Sequence, residues 1–163
     1  MRKFVLSAFL CAGLVGSAFS ATHNVPRDEP IATIRIPEKW QTKEYEERVE
    51  AISPDGAFSF LIIRPEANKV AETMGEVMRY IRGKGGITVK PETRKREQGK
   101  LNGMEIMSVS WLGKDDKGDI KIRFTSVSIA DKKMLLVAYW ASPEAEKKHH
   151  AELTKMLQSI KKA

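Results

Sequence analysis

Residues 102–140 read NGMEIMSVSWLGKDDKGDIKIRFTSVSIADKKMLLVAYW, and this stretch decides the fold. Apolar residues alternate or run continuously over Met104–Leu112, Ile120–Ile129 and Met134–Trp140, which is typical of β-strands. Polar segments rich in glycine, aspartate and lysine separate the three runs. The pattern predicts a three-stranded meander with at least one face that other elements must cover.

Two helical patterns outside this stretch are suited to covering it, because each places its apolar residues at three- and four-residue spacing. The first stripe comprises Val70, Met74, Val77, Met78 and Ile81. The second begins at Ser142-Pro143, a serine cap followed by proline in the first turn, and comprises Ala145, Leu153, Met156, Leu157 and Ile160. Both helices are therefore expected to pack against the sheet.

Shorter strands are predicted before the meander. Ala32–Ile36 precedes a turn that returns Trp40 to the core, and Tyr45–Ile52 pairs with Ala57–Arg64 in a hairpin. A further strand, from Ile87 to Gln98, is interrupted by proline and carries many charges, as expected at a sheet edge. Asn102-Gly103 then forms the hairpin turn into the meander, since both residues accept left-handed dihedrals.

The chain opens with the features of a secretory signal peptide. Arg2 and Lys3 precede an apolar run from Phe4 to Val15, and small residues follow. Cleavage after Ser20 places Ala18 and Ser20 at the two positions that must be small. We therefore expect residues 1–20 to be removed and the protein to be periplasmic or secreted, with no transmembrane segment left.

The expected mature chain has one domain and little reactive chemistry. Residues 21–30 are polar with two prolines and predict a flexible tether, and residues 31–163 predict a single domain. Cys11, the only cysteine, leaves with the signal, and losing two basic residues lowers the formal net charge from +7 to +5. No thiol chemistry is expected in what remains.

No catalytic or cofactor motif stands out, so no cofactor is predicted. The glycine-rich segment Gly83–Gly86 follows a helix, whereas a phosphate loop precedes one. His149 and His150 are neighbours on the last helix and point about 100° apart, so they are expected to be solvated side chains, not a metal pair.

Two candidate binding sites remain. The first is the basic run along the predicted edge strand, which could meet phosphate groups or an acidic partner. It comprises Lys90, Arg94, Lys95, Arg96 and Lys100. No aromatic residue is interleaved with it, so nucleic acid is not expected as a partner. The second depends on cleavage after Ser20, because a chain beginning Ala21-Thr22-His23 offers an amine, two amides and an imidazole to copper(II) or nickel(II).

The order of elements resembles the PsbP-like superfamily, which includes bacterial periplasmic DcrB-type proteins. The resemblance runs from Ile31 to Ile160 and rests on Ile36-Pro37-Glu38-Lys39-Trp40, the Asn102-Gly103 turn, the meander and the helix opening at Ser142-Pro143-Glu144. It implies an α+β fold in which helices pack on both faces of an antiparallel sheet, an α/β/α sandwich. It offers no catalytic motif to carry over.

These observations favour a non-catalytic, exported binding or assembly-support protein of the bacterial cell envelope. Its partner would be another envelope protein or an anionic envelope component. Two alternatives remain open: a periplasmic copper- or nickel-handling protein that uses the N-terminal site, and an enzyme with an unrecognised site.

Overall fold

The computed structural model describes residues 20–163, so the predicted signal peptide lies outside the described residues except for Ser20. In chain order the elements are β1 (Ser20–Val25), β2 (Ala32–Pro37), β3 (Gln41–Glu44), β4 (Arg48–Ile52), β5 (Phe58–Ile63), α1 (Val70–Gly83), β6 (Thr88–Leu101), β7 (Met104–Lys114), β8 (Asp119–Ala130), β9 (Lys133–Ala141), α2 (Pro143–Gln158) and β10 (Lys161–Lys162). In the described part of the chain, no helix has the length and apolar character needed to cross a membrane.

The strands form two antiparallel sheets. The larger has seven strands in the order β3-β4-β5-β9-β8-β7-β6, and the smaller has the order β1-β2-β10. The predicted meander is β7, β8 and β9, paired in sequence order, and the predicted hairpin is β4 and β5. The α+β class and the antiparallel sheet are thus confirmed, and β6 is an edge strand as expected.

Strand β9 lies in the middle of the large sheet, between β5 and β8. Its residues from Leu135 to Tyr139 are all buried, as expected of a strand covered on two sides. Leu135, Val137 and Tyr139 belong to a cluster that contains apolar residues of α2. Leu136 and Ala138 belong to a second cluster, with Val77 and Ile81 of α1.

The turn between β6 and β7 also fixes the end of α2. Asn102 and Gly103 have φ of 51° and 78°, the left-handed conformation that the sequence predicts there. The Asn102 side-chain amide donates hydrogen bonds to the carbonyl oxygens of Gln158 and Ile160, at 2.9 and 2.7 Å. A turn in the sheet therefore satisfies carbonyls that would otherwise be unpaired at the helix C-terminus.

Helix α2 begins as predicted. The Ser142 hydroxyl accepts a hydrogen bond from the Ala145 backbone N–H at 3.1 Å, and Pro143 occupies the first turn. Trp40 is 2 % exposed and lies in the same apolar cluster as this helix. The expectation that Trp40 closes the core is confirmed.

The flexible tether predicted for residues 21–30 is wrong over residues 21–25, which belong to β1. Strand β1 pairs with β2 from Ser20, opposite Pro37, to Val25, opposite Ala32, so the folded domain extends to Ser20. Most residues of β1 are polar, but alternate positions are buried, at His23 and Val25. Strands β3 and β10 were also not predicted, because β3 is exposed at all four positions and β10 has only two residues.

Candidate functional site

The basic run predicted as a binding edge lies along β6, and all five of its basic side chains are exposed. Strand β6 pairs only with β7, so its other edge presents unpaired backbone groups among the described residues. An irregularity between Lys90 and Lys95 divides the strand, and seven residues from Lys95 to Leu101 then pair without interruption. The structure therefore places the predicted residues together on one free edge.

The five side chains do not form one patch, because neighbouring strand residues point to opposite faces. Arg96 lies opposite Val109, which lies opposite Phe124 in the cluster with α1. The Arg94 guanidinium lies 5.9 Å from the centre of the Trp111 ring, on this same face. By alternation Lys100 shares this face with Arg96.

Lys95 is directed to the other face. It lies opposite Ser110, which lies opposite Arg123, and Arg123 in turn lies opposite Tyr139. On the far side of the irregularity Lys90 lies opposite Leu112, two residues along β7 from Ser110, and so shares this face. The edge thus carries three cations towards one face and two towards the other.

The residues of the predicted copper or nickel site lie in β1. Ala21 and His23 pair with Ile36 and Ile34 of β2. His23 is 6 % exposed, and its Nδ1 contacts the Glu44 carboxylate. A square-planar site of the predicted kind would require β1 to leave β2 and His23 to leave Glu44. Nickel or copper binding at this terminus stays a prediction for a chain that begins at Ala21.

One buried polar cluster was missed by the sequence reasoning, and it centres on His149. This histidine is 5 % exposed, so the expectation that it is solvated is wrong, whereas His150 is exposed as expected. Its Nε2 lies 2.9 Å from the Asp55 carboxylate and its Nδ1 lies 3.3 Å from that of Glu152. Both nitrogens can donate only in the protonated imidazolium, which would pair with both carboxylates.

Further donors converge on the same two carboxylates. Asp55 accepts hydrogen bonds from the Lys148 ammonium at 2.7 Å and from the Ser53 hydroxyl at 2.5 Å. Glu152 accepts one from the Trp40 indole N–H at 2.7 Å and contacts the Lys39 ammonium. The cluster therefore joins the turn between β4 and β5 to the middle of α2.

These donors favour the ionised carboxylates. The hydrogen bond from Lys148, with those from Ser53 and His149, holds the pKa of Asp55 far below its usual range. Burial opposes ionisation of Glu152, but hydrogen bonds from Lys39, Trp40 and His149 outweigh it and lower the pKa of that carboxyl. Groups that release their protons so readily are poor general acids near neutral pH.

The sequence contains a pattern that predicts burial of His149. Ala145, His149, Leu153 and Met156 are spaced by four, four and three residues, and all four are buried. His149 therefore lies on the apolar stripe of α2. Its partner Asp55 is 94 residues away along the chain, in a turn, and no local pattern connects the two.

An apolar groove runs between α1 and strands β4 and β5, with a volume of about 220 Å³. Ile52 and Tyr80, two of the exposed large apolar residues of the described chain, line it. Tyr80 and Trp140 meet edge to face at one side, with ring centres 6.1 Å apart. None of the predicted site residues lies in this groove. Within residues 20–163 no group of three or more His, Cys, Asp or Glu side chains could hold a metal ion.

The lowered pKa values of Asp55 and Glu152 predict that acid destabilises the fold. A carboxyl whose pKa is lower in the folded state stabilises the protein at neutral pH, and this stabilisation disappears as the pH falls below its ordinary value, near 4. Thermal melting measured between about pH 7 and pH 3 should show a smaller fall for Asp55→Asn than for the wild type. Asp131→Asn, at an exposed turn residue, is the control and should follow the wild type. Equal falls for the Asp55 variant and the wild type would contradict the stabilising role of this cluster.

No sequence-family model matches the chain, and no curated protein is similar to it in sequence. Its structure is similar to that of the cyanobacterial PsbP protein CyanoP from Synechocystis, with a TM-score of 0.59 and 9 % identity over 93 % of this chain and 96 % of that one.

Two further solved structures are similar. LpqN of Mycobacterium tuberculosis, described as involved in cell envelope biogenesis, has a TM-score of 0.53 and 7 % identity over 87 % of this chain and 90 % of that one. The Ran-binding protein Mog1p of Saccharomyces cerevisiae has a TM-score of 0.50 and 9 % identity over 88 % and 95 %. At these identities the likeness concerns the fold, and the chain has the PsbP-like fold that its sequence resembles.

Proposed function

We propose that this protein is a non-catalytic, exported binding or assembly-support protein of the bacterial cell envelope. In this proposal it docks onto an anionic envelope partner through the edge of β6. The observation that carries the proposal is the position of the basic run on a free sheet edge, with all five basic side chains exposed. Positive charge gathered on one edge attracts an anionic surface and orients the encounter.

The chemistry of the buried cluster supports a binding role. Both nitrogens of His149 face carboxylates, and each carboxylate has further donors from the protein itself. This histidine holds the β4–β5 turn against α2. Both of its ring nitrogens face carboxylates of the protein itself. The five basic side chains of β6 are exposed and remain available to an external partner.

The described roles of two proteins with similar structures also support a binding role. LpqN is described as involved in cell envelope biogenesis, and Mog1p as a Ran-binding protein. Both share the fold with this chain. A PsbP-like domain can therefore serve a binding role, and we extend that class of role to this protein.

We also propose that the edge is carried on a three-layer α/β/α scaffold. Leu61 and Leu136 belong to the cluster of α1, whereas Phe60 and Val137 belong to that of α2. These residues are neighbours along β5 and β9, and neighbours in a strand point to opposite faces. Helices on opposite faces would hold the sheet rigid and leave its edge β6 uncovered.

Export is part of the proposal, and it predicts the mass of the protein in the cell. The charged start, apolar run and small residues support removal of residues 1–20. Intact-mass analysis of the periplasmic fraction should find a chain that begins at Ala21. A full-length chain retained in the cytoplasm would contradict export.

Charge reversal on β6 tests the docking edge. The variant Arg94→Glu, Lys95→Glu, Arg96→Glu should no longer capture the wild-type partner from an envelope extract, because repulsion replaces attraction. Its melting temperature should stay within about 3 °C of wild type, since exposed substitutions change stability little.

The matched control reverses three exposed lysines outside β6, Lys43, Lys84 and Lys147, which have no ion-pair partner among the described residues. It carries the same change in net charge and should still capture the partner. Equal capture of the partner by both variants would place the interface elsewhere. Loss of capture by both would mean that net charge alone explains the effect.

A further inference from the structure

A depression lies on the face of the sheet to which Lys95 is directed, next to the first turns of α2. Its volume is about 360 Å³, and residues from β6, β7, β8, β9 and α2 line it. Its charged residues are Lys95, Lys121, Arg123 and Glu146. Three cationic side chains, one from β6 and two from β8, thus line one concave surface.

The register of the sheet brings these side chains together. Lys95, Ser110, Arg123 and Tyr139 lie directly opposite one another on four successive strands, from β6 to β9. Directly opposite residues share a face and have closely spaced Cβ atoms. These four residues form a row across the sheet that consists of a cation, a hydroxyl, a second cation and a phenol. Lys121, two residues before Arg123 in β8, lies on the same face.

The internal ion pairs leave donors unused. Lys121 contacts Glu146 at 2.5 Å, and Arg123 contacts Glu97 through one of its terminal nitrogens. A lysine ammonium has three N–H donors and a guanidinium has five, so each retains donors for a second acceptor. Lys95 has no ion-pair partner in the described part of the chain.

Tyr139 fixes the carboxylate that faces this row. Its hydroxyl donates a hydrogen bond to Glu146 at 3.0 Å. Burial, with the adjacent Glu146 carboxylate, raises the pKa of Tyr139, so the phenol keeps its proton at neutral pH. Glu146 is thereby held between Tyr139 and Lys121.

The arrangement of these charged groups favours a phosphate ester over a carboxylate. With Glu97 and Glu146 paired, the three cations leave one net positive charge and several free donors that approach from different strands. A carboxylate is planar and is matched by a single bidentate arginine, whereas a phosphate ester has up to three acceptor oxygens and close to two negative charges. Donors spread over Lys95, Lys121 and Arg123 fit the second geometry.

We propose that this depression, bounded by Lys95, Lys121 and Arg123, binds the phosphate group of an envelope component. The inference rests on the proposed function, since it names the chemical group that the docking edge recognises. It also assigns a role to Lys95 that its neighbours Arg94 and Arg96 do not share, because they are directed to the opposite face.

The first test is titration of the purified protein with inorganic phosphate, followed by NMR of its backbone amides. Saturable shifts are expected near Lys95, Ser110 and Lys121–Arg123. Lys95→Gln should weaken phosphate binding about tenfold, the loss of one charge-assisted contact. Lys100→Gln removes the same charge from the same strand on the opposite face and should bind phosphate as the wild type does.

Three results would overturn the site. These are no saturable shift, equal weakening by the two variants, or identical shifts with acetate at equal ionic strength. The exposure of Lys95 and its lack of an ion pair mean that Lys95→Gln should fold normally, and an unchanged melting temperature verifies this.

Vesicles identify the source of the phosphate group. Co-sedimentation with vesicles containing phosphatidic acid, absent with phosphatidylcholine alone and lost in Lys95→Gln, would support the site and assign it to a lipid headgroup. Phosphate binding without co-sedimentation would support the site and assign it to a soluble phosphate ester.

Different results would contradict the phosphate site and the docking edge. If phosphate binds as expected but charge reversal on β6 leaves partner capture unchanged, the docking edge is wrong and the phosphate site stands. If capture requires the edge but phosphate gives no saturable shift, the edge stands and the phosphate site is wrong.

Discussion

The structure depends on the double burial of strand β9. Five successive residues, Leu135 to Tyr139, are removed from water, so apolar cover is needed on both faces. Alternate residues of β9 belong to the two apolar clusters, which provide this cover. Burial of an aliphatic or aromatic side chain contributes about 1.5–3 kcal/mol, and no other strand buries so many in succession among the described residues. The outermost strand on the meander side of the sheet is β6, which we propose as the docking edge.

The sequence predicts this framework well where local patterns decide it. The alternation in β7 and β8, the apolar run in β9, the left-handed turn at Asn102-Gly103 and the serine cap of α2 are short-range signals, and each is confirmed. Strand β1 was missed because most of its residues are polar, although its partner β2 follows after only six residues. His23 takes a buried position that usually holds an apolar residue, and Glu44, 21 residues away, supplies its contact.

In the candidate site, too, local patterns are predictable from the sequence, whereas contacts between residues far apart in the chain are not. The sequence identifies the basic residues of β6, but it groups them by position along the chain, whereas the sheet separates Lys95 from Arg94 and Arg96. Lys121 and Arg123 join Lys95 only through the register of β6, β7 and β8, which no local pattern encodes. His149 lay on a recognisable helical stripe, yet its role follows from Asp55, 94 residues away. Local order is therefore readable from the sequence, while the convergence of charged groups from separate strands requires the fold.

Hydrogen exchange of the free protein, resolved at individual amides, tests the central claim that β9 is the sheltered centre and β6 the free edge. Exchange rates report local opening and exposure of backbone hydrogen bonds. The amides of Leu135–Tyr139 should exchange slowest, and alternate amides between Lys95 and Leu101, those directed away from β7, should exchange nearly as fast as in an unfolded peptide. Slow exchange at every amide from Lys95 to Leu101 would contradict the account, because the edge would then already be covered.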